Sequence, residues 1–299
     1  MAELNINGLG VALVTPFKQD LSIDYEALKN IINHIVAGGC DYIVALGTTA
    51  ETPTLSLEEK IILADFIRET VAGRIPLVIG IGGNNTKAVC DDIKSRDLKG
   101  YSAILSVTPY YNKPSQEGLF RHYMTIAEAS SLPIILYNVP KRTGVNISPD
   151  TVVRLISNSS NIKAIKEASD NFQQWKDLIE KTPDDFFVIS GDDASIHPLM
   201  SLGANGVISV MANAYPSEVR KLVSLCEAKC HDKASELQDN FKSIISPLFE
   251  EGNPAGIKFA LSYLGMIQNV LRLPLVPISE STAQKIKLAD EFLRNNYND

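Results

Sequence analysis

The sequence predicts an α/β fold, a (β/α)8 TIM barrel with a C-terminal α-helical extension. Short apolar runs alternate with helical patterns about eight times, and regular alternation of this kind is typical of a closed parallel barrel with helices outside. The apolar runs lack a polar and apolar alternation, as expected for parallel strands that are covered on both faces. A length of 299 residues with 45% hydrophobic residues is enough for one large barrel core.

The predicted strands follow these apolar runs. The first covers residues 9–16 and ends at a proline, which cannot continue a strand. The others cover residues 42–47, 77–82, 103–108 and 133–138, the run that begins at residue 162, and residues 186–191 and 206–210. Apolar residues at helical spacing predict helices between the strands at residues 24–36, 56–71, 85–98, 116–129, 149–156 and 172–181.

Four more helices are predicted after the last strand, at residues 216–229, 232–249, 254–264 and 279–295. Because a barrel does not need so many, we divide the chain into a catalytic barrel domain, residues 1–230, and a C-terminal helical domain, residues 231–299. Sequence alone leaves open whether the extra helices pack on the barrel or on another subunit. The main rival fold is a doubly wound open sheet, but the turn after the first strand lacks the Gly-x-Gly-x-x-Gly fingerprint of dinucleotide-binding proteins.

Composition excludes several classes of function. The net charge is −7 and there is no block of lysine or arginine, which argues against nucleic-acid binding. No apolar run reaches membrane-spanning length, and residues 1–5 lack the basic and apolar regions of a secretion signal. Cys226, Cys230 and His231 form only an incomplete zinc ligand set. We therefore expect a cytoplasmic protein with no metal site and no membrane or nucleic-acid partner.

Candidate catalytic residues are sought at the C-terminal ends of the strands, where barrel enzymes carry their active sites. Lys166 is the most informative residue there, because an ammonium group in an apolar strand is costly unless it is paired. Burial would lower the pKa of this lysine and leave some free amine, which can form an imine with a carbonyl compound. A structural lysine, paired or reaching solvent, is the alternative. Lys163 lies at an odd spacing from Lys166 and is expected on the outer face.

Other strand ends offer possible partners for this lysine. The phenol of Tyr137 suits a proton shuttle, although a buried tyrosine with a satisfied hydroxyl is common. Thr48 and Thr49 offer hydroxyl and backbone N–H groups for a small carboxylate or a proton relay, or they form a helix cap. Arg142 could bind a second carboxylate through both nitrogens, or it is a solvated loop residue. Catalysis would then run on lysine, tyrosine and threonine without a cofactor.

Several segments, in this order, resemble the dihydrodipicolinate synthase family, also called 4-hydroxy-tetrahydrodipicolinate synthases. They are Gly47-Thr48-Thr49-Ala50-Glu51, Val107-Thr108-Pro109-Tyr110-Tyr111-Asn112, Leu136-Tyr137-Asn138-Val139-Pro140, Arg142-Thr143-Gly144, Ile165-Lys166-Glu167, Ser190-Gly191-Asp192-Asp193 and Gly206-Val207-Ile208-Ser209. The resemblance spans essentially the whole chain. It implies a lyase that condenses pyruvate with L-aspartate 4-semialdehyde in diaminopimelate and lysine biosynthesis, without metal or organic cofactor, and a homo-oligomer that is a tetramer in the family.

The same resemblance implies a role for individual residues. Lys166 would form the Schiff base with pyruvate, and Tyr137 would donate and accept protons. Thr48 would link Tyr137 to a relay that Tyr111 completes from a neighbouring subunit. Substrate contacts and support of the relay are implied for Thr49, the backbone at Ile208, Gly191, Arg142 at the carboxylate of the aldehyde, and Tyr110 at the interface.

The sequence departs from the family pattern at two places. Ala50 replaces the usual glycine, which should be tolerated at negative φ and strained at positive φ. In the allosteric cleft, which also includes Asn84, the chain has Lys60 and Ala88 where lysine-inhibited members have a histidine and a glutamate. We therefore predict weak or absent feedback inhibition by lysine, because a cation replaces a neutral contact and a carboxylate is missing.

Two alternative functions remain at this point. One is another pyruvate-dependent lysine-imine aldolase, such as N-acetylneuraminate lyase or an aldolase or dehydratase of keto-sugar acids. Arg142 and the pair Tyr110-Tyr111 resemble the synthases more closely. The other is a non-catalytic barrel that binds a keto acid, which would need neither an imine-forming lysine nor a proton relay.

Overall fold

The computed structural model describes residues 4–297. Outside the described part lie residues 1–3 and 298–299. The expectation of no secretion signal rests partly on residues 1–3. Eight parallel strands pair in chain order, and the last pairs with the first to close a barrel. They are β1 Gly8–Ala12, β2 Tyr42–Ala45, β3 Leu77–Gly80, β4 Ala103–Val107, β5 Ile134–Asn138, β6 Ile162–Glu167, β7 Phe187–Ser190 and β8 Gly206–Ser209. The predicted fold class is confirmed.

Helices connect successive strands on the outside of the barrel. They are α1 Tyr25–Ala37, α2 Leu57–Val71, α3 Thr86–Ser95, α4 Gln116–Ala129, α5 Pro140–Thr143, α6 Pro149–Asn158, α7 Phe172–Lys181 and α8 Ile196–Ser201. The polar residue before several of them forms an N-terminal cap, and at α2 the pair Ser56 and Glu59 forms a capping box. The sequence analysis did not predict α5 and α8, which are too short to show a helical period.

Four helices follow β8, as predicted: α9 Pro216–Glu227, α10 His231–Glu250, α11 Ala255–Tyr263 and α12 Glu280–Tyr297. Helix α9 packs against β1 and so joins the outer ring of the barrel. Helix α10 packs against α8 and α9, and it also contacts α11 and α12. The extra helices therefore cover one side of the barrel within the chain. The division into domains at residue 230 stays a prediction.

The seam between β1 and β8 depends on two glycines. Gly8 and Gly206 are register partners, and a Cβ atom at Gly206 would collide with the backbone of Gly8. Most of the other strand positions carry fully buried aliphatic residues, which form one continuous core with the inner faces of the helices. The polar residues that remain buried gather where the strands end, and this places them around one mouth of the barrel.

Candidate active site

A cavity of about 510 Å³ opens at the C-terminal ends of the strands. Its walls come from strands, from the loops that follow them, and from the segment that joins α10 to α11. Six of the predicted site residues line it together: Thr48, Thr49, Tyr137, Arg142, Lys166 and Gly191. The rule that barrel enzymes carry their active sites at the C-terminal ends of the strands therefore predicted residues of one site that are spread over positions 48–191 of the chain.

Lys166 is the most buried charged group in this cavity, with 4% of its surface exposed. It lies on β6 at the level of Tyr137 on β5, and its Nζ is 4.4 Å from the centroid of the Tyr137 ring. No carboxylate in the described part of the chain lies within ion-pair distance of this Nζ. Lys163 lies on the other face of the strand, with its Nζ 3.4 Å from Asp185 Oδ2, as predicted. The strand thus presents one lysine to the cavity and the other to the outside.

Thr48 and Thr49 lie in a tight turn between two left-handed residues. Leu46 has φ 54°, the turn Thr48–Ala50 is 3-10 helical, and Glu51 has φ 53°. Such a conformation costs a non-glycine residue about 1–2 kcal/mol, so the turn depends on contacts around it. The side chain of Ala50 is buried and its φ is not positive. The alanine is therefore accommodated without strain, which is the tolerated case of the prediction.

The ends of the neighbouring strands are fixed by two buried carboxylates. Glu167 accepts hydrogen bonds from the side chains of Asn138 and Gln174 at 3.0 Å, and burial raises the pKa of its carboxyl group. Asp193 accepts hydrogen bonds from Ser209 Oγ and from the amides that follow Ser209, and burial raises its pKa to about 6. Both carboxylates bind protein groups and hold β5, β6 and β8 in register at the cavity.

Arg142 lies at the rim, in the single turn of α5. Its Nη2 donates to the carbonyl of Asn253 at 3.3 Å, and the rest of the side chain is exposed. Beside it, Lys141 forms an ion pair with Asp170 across the mouth. Asp192 also lines the cavity, and its pKa is raised by burial although the charges of Lys141 and Lys166 oppose this. Arg142 therefore adds a cation to the rim beside the Lys141–Asp170 pair, where it can meet an anionic substrate.

Comparisons with known proteins identify the family of this chain. The family model described as Dihydrodipicolinate synthetase family matches residues 5–290. The chain belongs to this family. A 4-hydroxy-tetrahydrodipicolinate synthase of Parabacteroides distasonis is 52% identical over 96% of this chain and 97% of its own length.

Solved structures of the dihydrodipicolinate synthase family share the whole fold. A chloride-inhibited dihydrodipicolinate synthase of Acinetobacter baumannii, complexed with pyruvate, has a TM-score of 0.93 at 41% identity and covers 96% of this chain and 99% of its own. A dihydrodipicolinate synthase variant described as monomeric has a TM-score of 0.93 at 37% identity over 96% of both chains. The fold and the family thus agree with the sequence resemblance.

Not all residues that the family resemblance implied lie in the cavity. Tyr111 is 89% exposed with φ 72°, and Tyr110 is 42% exposed. Neither lines the cavity, so the relay role of Tyr111 from a neighbouring subunit stays a prediction. Ile208 is fully buried on β8 and also stays a prediction as a substrate contact. Its neighbour beyond the strand, Val210, does reach the cavity.

The residues predicted for the allosteric cleft are not among those that line the cavity. They are Asn84, Lys60 and Ala88, and they form the candidate effector region. The side-chain amide of Asn84 donates to the carbonyl of Tyr110 at 3.2 Å, and Ala88 is exposed on α3. Lys60 is half-buried on α2, and burial and the nearby charge of Arg96 lower its pKa. Lys60 and Arg96 place positive charge on this side, which Asp92 partly offsets through its ion pair with Arg96. The weak response to lysine stays a prediction.

Asn253 is a polar cavity residue that sequence reasoning missed. Asn253 follows α10, and its Nδ2 donates to Thr49 Oγ1 at 2.9 Å. Its only signal is a polar residue before a proline, which is typical of any turn. Among residues 4–297 no group of three histidine, cysteine or acidic side chains could hold a metal ion. In the same range no helix is both long and apolar enough to cross a membrane.

Proposed function

We propose that the chain condenses pyruvate with L-aspartate 4-semialdehyde to give 4-hydroxy-tetrahydrodipicolinate, on the route to diaminopimelate and lysine. The observation that carries this proposal is the surroundings of Lys166. Its amine is buried, faces a cavity and has no anionic partner within ion-pair distance in the described chain, while a tyrosine and two threonines lie beside it. An amine in this position is ready to attack a keto group.

The proposed reaction begins with attack of the Lys166 amine on C2 of pyruvate. Loss of water gives an imine, and loss of a proton from the methyl group gives an enamine. The enamine carbon forms a bond with the aldehyde carbon of the second substrate, whose oxygen takes up a proton. The amino group of that substrate then attacks the imine carbon, closes the ring and releases the lysine, so that one water is formed for each product.

Roles for the other residues are part of the same proposal. The hydroxyl of Tyr137 carries the protons that the imine steps release and consume, and Thr48 connects it to Tyr111 of a neighbouring subunit. Thr49 and the backbone around Ile208 and Gly191 hold the carboxylate of pyruvate. Arg142 at the exposed rim binds the carboxylate of the semialdehyde. This assignment requires a homo-oligomer, and we propose a tetramer in the cytoplasm.

The chemistry is tested by two measurements on the purified protein. Pyruvate and borohydride should leave a mass adduct on Lys166, and a peptide map locates it. Pyruvate and semialdehyde should be turned over in an assay coupled to a reductase. Absence of the adduct would contradict the enzyme proposal, whereas turnover of N-acetylneuraminate without synthase activity would favour a sugar-acid lyase.

The assembly is tested separately by light scattering and by a mixed-subunit assay. Tyr111→Phe chains and Tyr137→Phe chains should each be weakly active alone. If Tyr111 acts across an interface, mixed oligomers regain sites that contain both native tyrosines. A monomer with full activity would contradict this part of the proposal.

A further inference from the structure

The carboxylate of Glu51 is buried directly behind the turn that carries Thr48 and Thr49. Its side chain has no exposed surface, although it begins in a loop. The backbone of Glu51 closes the turn, because its N–H donates to the carbonyl of Thr48 at 3.1 Å. Its own carbonyl accepts from the amide and the hydroxyl of Thr54, both at 2.9 Å. The position of Glu51 therefore sets the position of the threonines.

Lys258 of α11 neutralises this carboxylate. Its side chain also has no exposed surface, and Nζ forms an ion pair with Glu51 Oε1. The same Nζ donates to the carbonyl of Val270 at 3.0 Å and lies 4.1 Å from the centroid of the Phe17 ring. An ammonium in this position is fully engaged by a carboxylate, a carbonyl and an aromatic ring.

Arg272 supplies the second contact to Glu51 and connects it to two further loops. Its amide N–H donates to Glu51 Oε2 at 3.1 Å. Its guanidinium donates to both oxygens of Glu59 at 2.6 and 2.8 Å, and to the carbonyls of Thr54 and Leu21. Two cations and two carboxylates thus form one neutral network between the C-terminal helices and the threonine turn.

We propose that Glu51 is a positioning residue, through which Lys258 and Arg272 hold the Thr48–Thr49 turn at the distance from Lys166 that the imine chemistry needs. The inference rests on the proposed function, because it assigns Thr48 to the proton relay and Thr49 to pyruvate. The bond from Asn253 to Thr49 is a second link from the same C-terminal segment. Glu51 itself does not line the cavity and touches no reacting atom.

A positioning role predicts a change in catalysis beyond any change in folding. Glu51→Gln keeps the shape of the side chain and an acceptor for the Arg272 amide, but it removes the charge that Lys258 requires. We expect kcat/KM for pyruvate to fall by about tenfold to a hundredfold, the scale of a small misplacement of catalytic groups. Both a lower kcat and a higher KM for pyruvate are expected, because the two threonines serve different steps.

The experiment compares Glu51→Gln with the double variant Glu51→Met/Lys258→Met. Replacing a buried ion pair by apolar residues of similar size commonly preserves folding, so the double variant separates stability from positioning. Lys285→Met removes the exposed ion pair between Lys285 and Glu250 in the same helical region and serves as the matched control. Each protein is assayed well below its melting temperature, and imine trapping at saturating pyruvate is measured beside turnover.

The inference is supported if both Glu51 variants remain folded, still trap pyruvate on Lys166, and lose kcat/KM while the control keeps it. It is overturned if the double variant melts like the native protein and has native kcat and KM. It is also overturned if the fraction of activity that Glu51→Gln loses equals the fraction of this variant that is unfolded in the assay. Failure of the native protein itself to trap pyruvate and turn it over would instead contradict the proposed function.

Discussion

Lys166 and Lys258 are both almost inaccessible to solvent, with 4% and 0% of their surface exposed, but their surroundings differ. Each has its Nζ above an aromatic ring, that of Tyr137 at 4.4 Å and that of Phe17 at 4.1 Å. Only the ring beside Lys166 carries a hydroxyl group. Lys258 is bound to Glu51 and to a backbone carbonyl, whereas Lys166 faces a cavity.

This difference teaches what a catalytic lysine needs in addition to burial. Burial lowers the pKa of Lys258 to about 8 although the charge of Glu51 opposes the shift. Even so, its amine has no space for a carbonyl compound and its position is fixed by its partners. The site of Lys166 offers space and a tyrosine hydroxyl, and among residues 4–297 no carboxylate lies within ion-pair distance of its Nζ. Room and partners, more than burial, separate the lysine that we propose to be reactive from the structural one.

Removing Lys166 should give the largest effect. Without the amine no imine forms, so Lys166→Ala should lower turnover by about 10⁴-fold or more. Lys163→Ala, on the outer face of the same strand, is the matched control and should keep near-native turnover. Coupled assays and borohydride trapping measure both variants. Substantial synthase activity in Lys166→Ala would contradict the distinction drawn between Lys166 and Lys258.

Tyr137→Phe makes the surroundings of Lys166 similar to those of Lys258. The ring remains but the hydroxyl is lost, so turnover should fall by about 10²–10⁴-fold, the usual range for loss of an acid-base group. Folding should be little changed, which a thermal melt checks. Tyr263→Phe, exposed on α11 and outside the cavity lining, is the control. A native rate in Tyr137→Phe would show that the proton carrier lies elsewhere.

Removing Lys258 should act on stability. Lys258→Ala leaves Glu51 buried without its cation, and breaking such a pair costs about 3–5 kcal/mol in the free energy of unfolding. Denaturant titration measures this loss. Lys285→Ala breaks an exposed pair and should cost less than about 1 kcal/mol. Equal losses in the two variants would contradict the structural role of the buried pair.

The pH dependence of stability should further test the structural role of Lys258. The pKa of Lys258 is about 8 in the folded chain and 10.5 without burial. Between these values the unfolded chain binds more protons, so the contribution of Lys258 to stability should rise with pH, by about 2 kcal/mol from pH 8 to pH 10. The difference in unfolding free energy between the native chain and Lys258→Met isolates this contribution. A flat or falling difference would contradict the pKa direction.

The smallest effect is expected from free lysine. Lys60 is a partly buried lysine that lies near Arg96 in the candidate effector region, where Asp92 offsets only part of the positive charge. Submillimolar lysine should therefore leave the steady-state rate nearly unchanged. The double variant Lys60→His/Ala88→Glu should gain sensitivity, because it removes a cation and adds a carboxylate. Clear inhibition of the native chain would refute the prediction.

The sequence was most informative where structure repeats with a local period. Apolar runs predicted all eight strands. The rule that barrel active sites lie at the C-terminal ends of the strands correctly predicted that residues as distant in the chain as Thr48 and Lys166 share one cavity. Strand lengths were overestimated, as at β2, where the predicted strand extends to residue 47 but Leu46 is left-handed. Apolar composition does not record such a turn.

Contacts made by irregular segments could not be predicted in this way. Asn253 meets Thr49 from 204 positions away, and Glu51 meets a lysine of α11. Neither contact is indicated by a periodic sequence pattern, because each depends on how the C-terminal helices fold back onto the barrel. The role proposed for Tyr111 requires a second chain, whose position no pattern within one chain can predict.

The contacts of Arg272 have a consequence for the order in which the protein matures during synthesis. Every strand is synthesised well before Asn253, Lys258 and Arg272. The same is true of the cavity residues up to Gly191. A nascent chain that ends before residue 253 contains every strand of the barrel but lacks Asn253, Lys258 and Arg272, which contact Thr49 or Glu51. From the proposed role of Glu51 we expect the threonine turn to reach its final position only after this later segment has docked.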